Sequence, residues 1–288
     1  MAARKNSSKK NSRTDKMAAL HATFIDQVRT WRQPESWRAW LDLAAQFHQY
    51  SAHNVALIAA QNPEATLVAG YRAWQAKGRQ VRKGERSIRI LAGRQTVIDD
   101  DAQDKHREDE ESGKKVMRFF PVSVFDIEQT DPIDGADAMA DHPGLPEVVG
   151  TDDAGVIAKI TAWLTGQGWT VERGPLPVHT YGITSPLDHR VIVRDDVDDA
   201  MAAKTMLHEA THALLHSEPD GGTMHRGRKE VEAESTAYLA AAILGLDTAA
   251  YSTGYVAGWA ATSDDDLLIT TASTVMNTAR LLVDVVEG

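Results

Sequence analysis

The chain has no cysteine among its 288 residues. That excludes disulfides, thiolate metal sites and cysteine nucleophiles together, so any bound metal must rest on nitrogen and oxygen donors. Long apolar runs are missing too. No stretch approaches the length of a membrane span, and the N-terminus "MAARKNSSKKNSRTDKMAAL" lacks the apolar core of a secretory leader. The expected location is cytoplasmic, with no membrane partner. Aromatic residues make up only 6%, but hydrophobic residues reach 42%, enough for one large or two ordinary cores.

Acidic residues are scarce in one part of the chain. Residues 1–94 carry 17 Lys and Arg against 6 Asp and Glu, while the remainder carries 14 against 35. Such asymmetry suggests that the basic part meets a polyanion while the acidic part does something else. A basic tail alone would not account for it, because eleven of the seventeen basic residues lie between Arg29 and Arg94. They are interleaved with Trp31, Trp37, Trp40, Tyr50, Tyr71 and Trp74.

The pattern of apolar residues predicts an α+β chain of two domains. Residues 1–16 read as a disordered basic arm. Three- and four-residue spacing from "KMAALHATFIDQVRTW" to "WRAWLDLAAQFHQYSAHNVALIAAQ" predicts two or three amphipathic helices, broken at Pro34. A short helix near Tyr71–Ala76, a glycine turn and the strand "SIRIL" follow, then two strands joined by a highly charged hairpin tip. The first domain is set at residues 17–130, and the Pro, Gly and Asp-rich residues 131–150 are set as a linker. The second domain, 151–288, starts with the helix "AGVIAKITAWLTGQGW". Next come the strands "PVHTYGIT" and "HRVIVRD", a helix from about Asp198 capped by Asp195 or Asp196, the helix "KEVEAESTAYLAAAILG", and a terminal helix or helix pair.

The stretch "LHEATHALLH" carries the most specific chemistry. Residues four apart on an α-helix differ by roughly 40° around the axis, so His208 and His212 project side by side, as two ligands of one tetrahedral ion would. Glu209 lies roughly 100° round from His208, beside the ion rather than on it. There it can take a proton from metal-bound water. A third ligand is needed, and "KEVEAESTAYLAA" offers Glu230, Glu232 and Glu234. Of these, only Glu230 and Glu234 share a helix face with Ala233, Ala237 and Ala241, whose small side chains permit close helix packing. Two nitrogens, one oxygen and an open position are the donor set of a catalytic rather than a structural site, and one zinc per chain is expected.

In these motifs the second half resembles the zincin metallopeptidases of the gluzincin type. That resemblance implies Glu230 as the third ligand and Glu234 as its hydrogen-bonding neighbour, in "EVEAESTA". Glu234 stands where a shorter Asp or Asn is common, which leaves the division between the two carboxylates open. The resemblance also implies an edge strand that holds extended peptide, assigned to "HRVIVRD". His225, Tyr251 and Tyr255 are candidates for a neutral oxyanion donor.

In the first half, "YSAHNVALIAAQNP", "GYRAWQAKGRQVRKGERSIRIL" and "FFPVSVFDIEQT" resemble the N-terminal single-stranded-DNA-binding domain of ArdC-type antirestriction proteins. With the metallopeptidase-like half, the resemblance takes in most of the chain and implies protection of incoming plasmid or mobile-element DNA. The residues agree with this on their own terms. Arg72, Lys77, Arg79, Arg82, Lys83, Arg86 and Arg89 form a dense basic stretch able to follow a phosphate backbone, and Tyr71 and Trp74 could stack on unpaired bases. Trp37, Trp40 and Phe47 have the helical spacing of core residues, and Trp74 is compatible with packing as well as with binding. Two other readings share these motifs: a non-enzymatic DNA-binding protein braced by its metal, and a regulatory protease that cleaves a repressor.

Overall fold

The structure is a computed structural model that describes residues 2–98, 114–133, 151–217, 226–246 and 254–288. The elements run α1 (Ala2–Thr30), α2 (Pro34–Gln46), α3 (Ala52–Gln61), β1 (Val68–Ala69), α4 (Tyr71–Ala76), β2 (Arg79–Val81), β3 (Ile88–Ile98), β4 (Lys114–Asp126) and β5 (Thr130–Pro132). They continue with α5 (Val156–Gly166), β6 (Thr170–Gly174), β7 (Gly182–Ser185), β8 (Arg190–Arg194), α6 (Asp199–Leu215), α7 (Arg226–Ile243), α8 (Gly254–Ala260) and α9 (Asp265–Glu287). This is the α+β class that the sequence predicts. Among the described residues no helix is long and apolar enough to cross a membrane.

The chain divides into two compact units. One comprises residues 1–23 with 64–138, the other residues 24–63 with 139–288. This departs from the division at 130–150 expected from composition. The reason is that the helices following residue 23 bury their aromatic face in the second unit. Trp31, Trp37, Trp40 and Trp259 form one cluster with ring centroids 4.8 to 6.2 Å apart, and Trp37 Nε1 donates to Ser235 Oγ at 3.0 Å. A cluster of that size removes several hundred Å² of apolar surface from water. The expected basic arm is also corrected: residues 2–16 lie within α1. Residues 131–132, expected in the linker, pair with β2 as part of β5. The rest of that linker from residue 134, and the charged hairpin tip, lie outside the described residues.

In the first unit, β3 and β4 pair antiparallel from Ile88↔Val124 to Ile98↔Lys114, with β1 on the other side of β4. Ile88, Ile90 and Val124 are buried on one face because side chains alternate along a strand. Asp126, only 1% exposed, accepts from the Thr66 and Leu67 backbone amides at 3.1 to 3.3 Å. That satisfies a carboxylate that would otherwise be costly to bury.

In the second unit, α7 packs against α2, α6, α8 and α9, and its small residues Ala233, Ala237, Ala240 and Ala241 are fully buried. A three-stranded sheet in the order β6-β8-β7 covers α6. Strand β6, absent from the sequence-based reading, runs parallel to β8. The strand "HRVIVRD" is therefore central, and the edge beside α6 belongs to β7. The N-cap of α6 is Asp198, whose side chain accepts from Met201 N at 2.8 Å. It takes the place of Asp195 or Asp196 because it is the last residue with extended backbone angles.

Candidate metal centre

Helix α6 carries His208, Glu209 and His212, and α7 carries Glu230, Glu232 and Glu234. The two histidine Nε2 atoms lie 3.1 Å apart, and Glu230 Oε2 is 3.7 Å from one and 3.8 Å from the other. Two nitrogens on one tetrahedral ion sit about 3.3 Å apart when each metal–nitrogen length is about 2.0 Å. The triangle thus has the size that a single ion requires, and His208, His212 and Glu230 form the cluster fit to hold one among the described residues. Glu230 and not Glu234 supplies the third corner. Glu234 stands behind His208, with Oε2 3.4 Å from Nδ1 and Oε1 3.1 Å from Lys204 Nζ.

The electrostatics of the cluster suit a cation. Burial alone would lower the pKa of His208, but the carboxylates of Glu230 and Glu234, 3.7 and 3.4 Å away, outweigh it and push the imidazole up to about 9. The facing imidazoles of His208 and His212, 3.7 and 3.8 Å from Oε2, hold the Glu230 carboxyl well below the usual carboxylate range. A metal ion would therefore have to displace a proton from His208 near neutral pH.

Glu209 is 6% exposed and is fixed by β7. Thr184 Oγ1 donates to its Oε2 at 2.6 Å and to its backbone carbonyl at 3.1 Å. Gly182, on the same strand, admits no side chain: a Cβ there would lie 2.5 Å from Glu209 Oε1, 2.6 Å from its Cγ and 2.7 Å from Thr205 Cγ2. Strand and carboxylate approach this closely only because the residue is glycine. These groups open onto a cleft of about 400 Å³, with Gly182, Ile183 and Thr184 on one side and Arg226, Lys229 and Glu230 on the other. Thr184 and Gly182 escaped sequence reasoning because no local pattern links Thr184 to Glu209, 25 residues further along the chain.

Two residues here have no expected role: His216, which lines the cleft, and its neighbour Glu232. Glu232, set aside in the sequence as facing elsewhere, is 1% exposed and contacts His216 and Arg228. Of the candidate oxyanion donors, His225 and Tyr251 lie outside the described residues, and Tyr255 belongs to α8.

The basic residues expected to meet DNA fare differently. Arg72, Lys77, Arg82, Lys83, Arg86 and Arg89 are exposed, and Tyr71, Arg82 and Lys83 border a cleft of about 560 Å³. Trp74 and Arg79 do not belong with them. Trp74 is 1% exposed and donates from Nε1 to the Phe125 carbonyl at 2.8 Å, so no base can stack on it. Arg79 is 8% exposed and its guanidinium is spent on Thr130, at 2.7 Å to Oγ1 and 3.1 Å to the carbonyl oxygen. Arg82 reaches the surface but is tied to Glu85 and Asp131, each at 3.2 Å.

The fold and cluster define a two-unit α+β protein with a His, His, Glu cluster that could hold a metal ion. Residues 11–125 match the family model of the N-terminal domain of anti-restriction factor ArdC. The chain is similar in structure to the metal-free antirestriction ArdC protein from the R388 plasmid, with a TM-score of 0.53, 20% identity, and 83% and 85% of the two chains covered. For the Mn(II)-bound form of that protein the TM-score is 0.52, the identity 21% and the coverage 82% and 89%. It is also 22% identical over 274 residues to an uncharacterized Bacillus anthracis protein, pXO2-81, covering 85% of this chain and 46% of that one. The chain thus spans about half the length of that relative. Residues 11–125 thus match an ArdC-type N-terminal domain, and the chain shares its fold with the R388 protein.

Proposed function

We propose that the chain protects DNA by pairing a single-strand-binding surface with a metal-dependent, peptidase-like centre. The observation that carries the second half of this reading is the 3.1 Å spacing of the His208 and His212 Nε2 atoms, with Glu230 and Glu209 in the same cleft. The donor set of two imidazoles and one carboxylate suits zinc, and suits manganese as well. The R388 protein's Mn(II)-bound form supports a divalent ion of this kind.

A bound ion would polarise a carbonyl and acidify water. The chain's own residues supply the rest. Glu209, oriented by Thr184, is the general base that would take a proton from that water. An extended substrate has a place to lie. Arg194 N donates to the Tyr181 carbonyl at 2.8 Å, and the alternation of an antiparallel pair then turns the backbone groups of Gly182 and Thr184 away from β8. Strand β7 thereby offers its outer edge along the cleft, and a peptide could pair with it by main-chain hydrogen bonds.

For the DNA surface, the support is the exposed series Arg72, Lys77, Arg82, Lys83, Arg86 and Arg89 beside the half-exposed Tyr71. These groups suit a flexible polyanion with accessible bases, bound with little sequence preference.

The test is hydrolysis of an unstructured protein by the zinc-loaded full chain, with and without single-stranded DNA. Cleavage is expected, and Glu209→Gln should abolish it while keeping metal and DNA binding. If zinc and DNA bind but nothing is cleaved in any state, the metal braces a binding protein and the hydrolytic half of the reading fails.

A further inference from the structure

The stretch "LHEATHALLH" ends in a third histidine, His216, the C-cap of α6 and only 8% exposed. Both of its ring nitrogens are engaged. Nδ1 lies 2.9 Å from Nδ1 of His212, and Nε2 lies 3.0 Å from Glu232 Oε2. The other oxygen of Glu232 accepts from Arg228 Nε at 2.8 Å.

The hydrogen positions along this chain follow from what each group can do. A carboxylate bound by a guanidinium stays an acceptor, so Nε2 of His216 must carry the hydrogen. A neutral imidazole with hydrogen on Nε2 has a bare Nδ1, which can only accept. Two nitrogens 2.9 Å apart need one hydrogen between them, and it must therefore belong to Nδ1 of His212. The lone pair of His212 is then left on Nε2, the atom that lies 3.1 Å from His208 Nε2 and 3.8 Å from Glu230 Oε2.

We propose that His216, held by Glu232 and Arg228, is the positioning residue that fixes the tautomer and ring orientation of His212 for metal binding; this rests on the reading of His208, His212 and Glu230 as a metal site. The two imidazole ligands are backed by different chemistry. His208 meets the carboxylate of Glu234 directly. His212 meets its carboxylate, Glu232, through the second imidazole. A helix stripe with histidines at i, i+4 and i+8 is what this arrangement requires, since all three must lie along one side of α6. The competing role for His216 is helix capping, because its backbone amide donates to the His212 carbonyl at 2.9 Å. That role uses no ring nitrogen, so the two can be separated.

The experiment uses the metal-free full chain and zinc alone. Long-range proton–nitrogen spectra of the wild type should show His212 in a single tautomer with hydrogen on Nδ1. In chelator competition, His216→Ala should weaken Zn(II) binding about 10- to 100-fold and let His212 populate both tautomers. His216→Asn offers Oδ1 as an acceptor near the lost Nδ1 and should restore most of the affinity. Hydrogen on Nε2 of His212 in the wild type, or an affinity in His216→Ala within about twofold of wild type, would overturn the proposal while leaving the metal site standing. Equal losses in the Ala and Asn variants would also overturn it, since a packing role makes no distinction between them. If His216→Ala fails to fold, the wild-type spectrum and the Asn variant decide. A wild type that binds no zinc would remove the metal site and the proposal with it.

Discussion

Helix α6 and the basic stretch from Arg72 to Arg89 each carry a row of residues that the sequence marks for function, and the structure treats them differently. On α6 the marked residues converge: His208, Glu209 and His212 face one cleft, where the two histidines meet Glu230. In the basic stretch they scatter. Of the eight residues marked there, Trp74 and Arg79 are buried in the first unit's core, and Arg82 is occupied by neighbouring carboxylates. The difference lies in the scaffold. A helix converts sequence spacing into fixed angles, whereas the basic stretch crosses a short helix, a turn and two strands, where spacing says little about direction.

The sharpest way to stress this comparison is to disturb α6 from outside it. Gly182→Ala places a methyl group against Glu209 and Thr205. It should lower any hydrolysis by about 10²-fold, the usual cost of a misplaced catalytic group, and leave zinc stoichiometry unchanged. Steady-state cleavage and metal content, measured on the same preparation, check both halves.

Trp74→Ala tests the claim that this residue belongs to the core. Loss of a buried tryptophan costs about 3–5 kcal/mol, so the melting transition should fall clearly, while Arg72→Ala on the adjacent exposed position should leave it within about 0.5 kcal/mol. If Trp74→Ala were fully stable yet defective in DNA binding, the ring would belong to the interface after all.

A smaller effect should separate the exposed cations from the buried one. Replacing Lys83, Arg86 and Lys77 together by Ala should reduce the salt dependence of single-strand binding by about two to three counterions. Arg79→Ala should lower stability and leave the slope unchanged, because its guanidinium is hydrogen-bonded to Thr130. Titrations over a range of salt concentrations give both slopes.

The smallest effect concerns pH. His208 is pushed up to about 9 in the metal-free protein, so near neutral pH an ion must displace its proton. Zinc affinity should therefore rise about tenfold per pH unit towards 9 and level off above it. In stability the sign is opposite. The raised value stabilises the metal-free fold fully below the unfolded imidazole's pKa of about 6.5, and that contribution is lost as pH rises through about 9.

What could be read from the sequence follows the same division. The α+β class, helix α4 over Tyr71–Ala76 and a hairpin ending in β4 were legible because periodicity and glycine turns are local signals, whereas "SIRIL" and the first hairpin strand, expected as two strands, are the single strand β3. The trio His208, Glu209 and His212 was legible for the same reason. Glu230 could be narrowed to one of two carboxylates, and only the packing of α7 on α6 decides between them. The packing of residues 24–63 into the second unit was hidden, since nothing in a run of amphipathic helices names the surface it will cover. His216 and Glu232 were hidden more deeply. A histidine at a helix end and a glutamate amid other glutamates look like surface residues until tertiary structure buries them against each other.

The most direct measurement is the position of the ion itself. Crystals of the full chain grown with zinc should show, by anomalous scattering at the zinc edge, one ion per chain bound by His208 Nε2, His212 Nε2 and a Glu230 oxygen, at about 2.0–2.2 Å from each. An ion held elsewhere, or an empty triangle in crystals saturated with zinc, would contradict the assignment of this cleft as the metal centre.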